Sequence, residues 1–253
     1  MILSTTAISL IVFACVFGGA VLGILLHAVL PQHHLSNESK DIVKLGMGLV
    51  GTMAALVLGL LVASAKGSYD TQSAELTQMS ANIALLDRVL ALYGPETKET
   101  RELLRGAAAR ALDQMWSNDG TRASSSAPTS AGGEILYGKI QGLSPKNDTQ
   151  RSLQGQALSM AMDLGKTRWL MYEQSTTPVS MPLLVVLVTW LAVIFVSFGL
   201  FAPANTTVVA SLFVSALSVS GAIFLILEMY TPYEGVIALS SAPLRAALAH
   251  LGQ

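Results

Sequence analysis

His33 and His34, with Glu38 and Asp41 close behind, are the strongest metal candidate in the 253 residues, because imidazole and carboxylate at this spacing could hold zinc or copper. Two adjacent histidines point apart, and Pro31-Gln32 ahead of them marks a turn, so the segment reads as a solvated loop with no resident metal. No G-x-S-x-G, P-loop, GxGxxG or H-E-x-x-H pattern is present, and no Ser/His/Asp set emerges from spacing. The expectation is therefore no catalytic residue, no cofactor and no enzymatic activity. Cys15 is the single cysteine, which excludes an intrachain disulfide and any multi-cysteine metal or iron-sulfur site.

What chemistry the chain does offer is electrostatic and steric. Lys44 and Lys66 bracket 21 uncharged residues. In a lone subunit they are anchors that snorkel to the two membrane interfaces, whereas in a ring of subunits each becomes a circle of positive charge at a pore mouth, which prefers anions. Between them Gly48, Thr52, Ala55 and Gly59 form one stripe of small residues, and Leu49, Met53, Leu56 and Leu60 form a bulky stripe on another face. The small stripe invites close helix packing. The bulky one either meets lipid or, repeated around an axis, makes a hydrophobic constriction, with Met53, Leu56 and Leu60 as its gate. Ser211, Ser215 and Ser218 form a row on a later apolar segment, bonded to the preceding helical turn or lining a wet path. Glu228 closes that segment as a carboxylate adjoining hydrocarbon, and it needs a partner or water. Arg245 is the nearest cation in sequence, so the pair is read as a clamp or a gate at the cytoplasmic side.

These residues are positioned by elements made for lipid. Hydrophobic residues are 52% of the chain and charged ones 12%, against roughly 25% charged in soluble domains. Net charge is -1 with no basic run, which argues against nucleic acid as a partner. Ala7 to Leu30 lacks any Asp, Glu, Lys or Arg, and no Lys or Arg precedes it, so it reads as a retained helix rather than a signal peptide. The spans are expected at about 7–30, 45–65, 181–201 and 206–227, with Pro203-Ala204-Asn205 dividing the last two. Twelve of the 15 Lys and Arg fall in residues 66 to 180 and none in the second hairpin, which places the middle domain and both termini in the cytoplasm.

Between the membrane pairs the apolar period becomes helical. Leu76, Met79, Ile83, Leu86 and Leu90 mark a helix ending at Tyr93-Gly94-Pro95; Leu104, Ala108, Ala111 and Met115 mark a second; Leu153, Ala157, Met160, Leu164 and Met171 mark a long third. Residues 117–133, rich in Ser, Gly and Ala, read as a mobile loop. The expected organisation is an all-α integral membrane protein: a first transmembrane pair over 1–66, a helical cytoplasmic domain over 67–178, and a second pair with a cytoplasmic tail over 179–253.

The chain resembles a bacterial membrane family described as bestrophin-like. The resemblance is carried by Asp41 to Lys66, by Leu86-Asp87-Arg88 with Tyr93-Gly94-Pro95-Glu96, by Ala216 to Glu228, and by Pro232-Tyr233-Glu234-Gly235 through Ser240 to Arg245. Glu228 and the following Pro-Tyr-Glu-Gly are similar to the acidic residue and Pro-Phe-Gly turn after the last bestrophin span, with Tyr in place of Phe and Glu intervening. Bestrophins are homopentameric chloride channels, so the resemblance implies a homo-oligomer, with five subunits expected, in the bacterial inner membrane, passing chloride or other small anions along a pore lined by the second span. Met53, Leu56 and Leu60 are the nearest counterparts of the bulky neck residues of bestrophins, without their aromatics. The alternative function is a non-conducting scaffold or sensor that recruits a partner through the cytoplasmic domain.

Overall fold

The computed structural model describes residues 4–31, 37–116, 130–176, 180–203, 205–233 and 235–252. His33 and His34 of the metal candidate, most of the expected loop, and Glu234 lie outside them. Eight α-helices are described: α1 Thr5–Val29, α2 Asn37–Tyr93, α3 Lys98–Met115, α4 Ser130–Gln141, α5 Asp148–Thr176, α6 Met181–Phe201, α7 Thr206–Met229 and α8 Ala242–His250. There is no strand among the described residues, as the lack of a period-2 pattern predicts.

Among the described residues, four helices are long and apolar enough to cross a bilayer: α1, the first part of α2, α6 and α7. Their ends are set by short-range chemistry. Ser4 Oγ accepts from the Ala7 N–H at 3.2 Å to start α1, and Asn205 Oδ1 accepts from the Val208 N–H at 2.8 Å to start α7 just after Pro203. The helical expectations at 181–201 and 206–227 match α6 and α7 within two residues.

By internal contacts the chain forms two compact units, one of residues 1–67 and 178–230, the other of 68–177 and 231–253. In the first, α1 packs on α6 and α7. Glycine makes the first of these contacts possible: a Cβ on Gly23 would meet the Val196 carbonyl oxygen, one on Gly199 would meet the Ala20 carbonyl oxygen, and one on Gly19 would come within 2.9 Å of the Ala192 carbonyl oxygen. Backbones this close gain dispersion contacts that larger residues would prevent, which is how helices associate where no hydrophobic effect drives them. Phe13 and Phe17 of α1 pack edge-on against Phe213 of α7, each with centroids 5.4 Å apart.

The second unit has the core that the amphipathic stripes predict. Leu76, Met79, Ile83, Leu86 and Leu90 of α2 are all buried, with Leu104 and Ala108 of α3 and Ala157 and Met171 of α5 in the same cluster. Helix α2 ends where expected. Gly94 takes φ +138°, a conformation other residues rarely adopt, and the Thr97 hydroxyl donates to the Leu90 carbonyl at 2.6 Å, satisfying one of the carbonyls the helix end leaves open. Two features differ from expectation. Residues 130–133, assigned to the loop, form the first turn of α4; Gly132-Gly133 weakens the local helical signal, but burial of Leu136 and Ile140 overrides it. The segment after 230 also joins this unit: Trp116 Nε1 donates to the Leu239 carbonyl at 2.9 Å, its ring meets Tyr233 edge-on, and Leu244 of α8 is fully buried.

Candidate functional site

Helix α2 runs without interruption through its apolar stretch, so its residues can be sorted by face at 100° per residue. Ala54, Leu61 and Ala65 are buried, and Val57 and Leu58 join them against the other helices of the first unit. Both stripes picked out in the sequence lie off this face. Leu49, Met53, Leu56 and Leu60 are exposed, and nothing lies within 4 Å of a Cβ added at Gly48 or Gly59. The close-packing glycines thus belong to α1 and α6, and the small stripe of α2 is left open within one chain. A groove of about 540 Å³ runs beside it, floored by Gly48 and Gly51 and bordered by Lys44, Ser197 and Phe198.

Lys44 and Lys66 are 22 residues apart, roughly 33 Å along the helix, so they sit at opposite ends of the apolar stretch. Lys66 follows Gly59 by seven residues, two turns, and so shares the face of the small stripe rather than that of Met53, Leu56 and Leu60. Lys44 lies 3.8 Å from Asp41 with both side chains exposed, an ion pair of little energetic weight.

The structure places a polar cluster at one end of the first unit that sequence spacing does not reveal. Glu228 is buried, and Thr5 Oγ1 donates to its Oε1 at 2.8 Å; Ser64 Oγ lies 3.0 Å from the Tyr230 hydroxyl. Deeper along α7, Ser220 donates to the Ser9 carbonyl at 2.6 Å, and His27 Nδ1 lies 2.7 Å from the Leu200 carbonyl. Sequence spacing does not mark Thr5, Ser9, Ser64 or His27, because their partners are more than 160 residues away. Ser211, Ser215 and Ser218 are exposed, and Ser218 donates to the Val214 carbonyl at 2.9 Å, the back-bond to the preceding turn. Arg245, the cation read with Glu228, is exposed on α8 in the second unit.

In the second unit the firmest electrostatic contact joins α2 to α3. Arg101 Nε and Nη2 donate to the two oxygens of Asp87 at 2.7 Å each, and the Gly252 N–H adds a third bond at 3.2 Å. Burial alone would raise the pKa of this carboxyl. The Arg101 hydrogen bonds, the Gly252 N–H and the Arg101 charge outweigh it, and hold Asp87 below the ordinary carboxylate value. The same pairing raises the Arg101 pKa.

A family model described as the bestrophin-like domain matches residues 13–244. Solved structures of a bacterial bestrophin homologue from Klebsiella pneumoniae, each carrying one mutation, share the fold: two superpose with TM-score 0.66 at 15% identity, covering 93–94% of this chain and 97–99% of theirs. A third superposes with TM-score 0.59 at 16% identity, covering 96% and 97%. A comparison with curated proteins finds no match.

Proposed function

Since the chain belongs to the bestrophin-like family, we propose that it is one subunit of a homo-oligomeric ion channel, five copies surrounding a pore lined by α2 that passes chloride or other small anions across the bacterial cytoplasmic membrane. The observation that carries the reading is the bareness of α2. Only 11% of its most apolar window is buried within the chain, against 28–33% for the windows of α1, α6 and α7. Lipid can cover a bulky apolar face, but a face of Gly48, Thr52, Ala55 and Gly59 gains most from another backbone. In a ring, that face meets the neighbouring subunit, and Met53, Leu56 and Leu60, about a quarter-turn further round, narrow the axis and gate by dewetting.

Lys66 then stands beside the subunit contact at the mouth, and acts on ions through its field, which reaches about 8–10 Å at ordinary salt. Purified protein in liposomes is expected to dissipate a chloride gradient, and Lys66→Glu to shift the reversal potential toward cations. Liposomes that hold their gradient would reject conduction, and an unshifted reversal potential would reject the role of Lys66.

A further inference from the structure

Within the second unit, α2, α3, α4 and α5 border a solvent-open cavity of about 400 Å³, inside the roughly 300–1,000 Å³ range of small-ligand pockets. Its walls are mainly apolar, with Leu104, Leu136 and Leu164 among them, and it stays open because small residues such as Ala161 and Gly165 stand where larger ones would fill it. Two cations, Arg110 of α3 and Arg168 of α5, line it, and among the described residues no Asp or Glu does.

Arg168 is the informative residue. Its Nη2 donates to Gln114 Oε1 at 2.6 Å, a neutral acceptor, and among the described residues no carboxylate pairs with it. A guanidinium has five donors, and one amide oxygen satisfies a single one of them. Partial burial, by desolvation, lowers its pKa. Arg168 is half-buried, and it lacks the kind of matched partner that Asp87, buried in the same unit, has in Arg101 and Gly252.

We propose that this cavity binds an alkyl monocarboxylate, its chain along the Leu104, Leu136 and Leu164 wall and its carboxylate bidentate on Arg168, with Arg110 adding charge at the rim. A guanidinium fork matches a carboxylate in geometry as well as in sign, and an apolar wall ending in such a fork selects an amphipathic anion over an inorganic one. The site lies wholly inside the helical unit, so its occupancy can be measured whether or not the protein conducts.

The test is calorimetric titration of octanoate into full-length protein in lipid nanodiscs, with empty nanodiscs subtracted and octan-1-ol as the neutral counterpart. Saturable binding of one octanoate per chain is expected, with octanol at least about tenfold weaker, since a charge-assisted pair contributes on that scale. Arg168→Gln should weaken octanoate about tenfold and bring it level with octanol. Gly165→Leu, which fills the cavity and suits a helix interior, should abolish binding with an unchanged melting temperature; Ala161→Leu serves if that variant folds poorly. No saturable binding to the native chain, octanol binding as tightly as octanoate, or octanoate indifferent to both Arg168→Gln and a folded cavity-filling variant would each overturn the proposal.

Discussion

A carboxylate as buried as Asp87, 5% exposed, is tolerated only because each of its oxygens is met. Its depressed pKa makes a statement about pH. The folded state holds the proton less tightly than the unfolded chain, so the pair's contribution is complete above the ordinary carboxylate value of about 3.9 and disappears as pH falls through the lower, folded-state value. Asp87→Asn should lose about 3 kcal/mol at neutral pH, the lower end for breaking a buried pair since Arg101 is partly solvated. Thermal melts between about pH 7 and pH 3 should show the native chain losing more stability than the variant; parallel curves would mean that Asp87 is not the titrating group. The sequence marks Asp87 through the family motif Leu86-Asp87-Arg88, but the partner is Arg101, a turn beyond Gly94-Pro95, and neither its side chain nor the Gly252 N–H can be assigned without the fold.

At the scale of elements, glycine separates helices that pack within the chain from helices that do not. Gly19-x-x-x-Gly23 and the small stripe of α2 are both close-packing motifs visible in the sequence, but no sequence pattern says which helix faces which. The consequence is testable. Gly23→Ala forces a methyl into the Val196 backbone and should destabilise the α1 and α6 contact by about 1–3 kcal/mol, whereas Gly18→Ala, with nothing within 4 Å, should leave melting in detergent unchanged. Equal melting of the two variants would contradict the helix contact. The amphipathic helices were legible at high fidelity, since a 3,4-spaced stripe such as Leu76 to Leu90 has one helical face to bury. Helix α4 was not, because its two glycines resemble a loop until Leu136 and Ile140 find a core.

For the whole molecule the question is what covers α2. If its small face is a subunit contact, Gly59→Leu inserts bulk where Gly59 has no neighbour within its own chain, so it should lower the assembled mass in native mass spectrometry while the far-ultraviolet helical signal stays constant. A variant that keeps its full mass would remove the small stripe from the interface and leave it to lipid. The two arms also separate assembly from conduction, since a ring that forms and passes no ion keeps the first and loses the second.

Composition and period by themselves determined that the chain is helical, that four stretches suit a bilayer, and where most helices begin and end, because those properties depend on neighbours three or four residues apart and on the solvent each face must meet. Tertiary structure alone decided which residues of those helices touch. Thr5 reaches Glu228, Ser64 reaches Tyr230, Gly23 lies against Val196, and Arg168 stands on a cavity wall beside Gln114. Such pairings join residues far apart in the chain, and they follow from how helices stack rather than from any local preference, so no spacing rule encodes them.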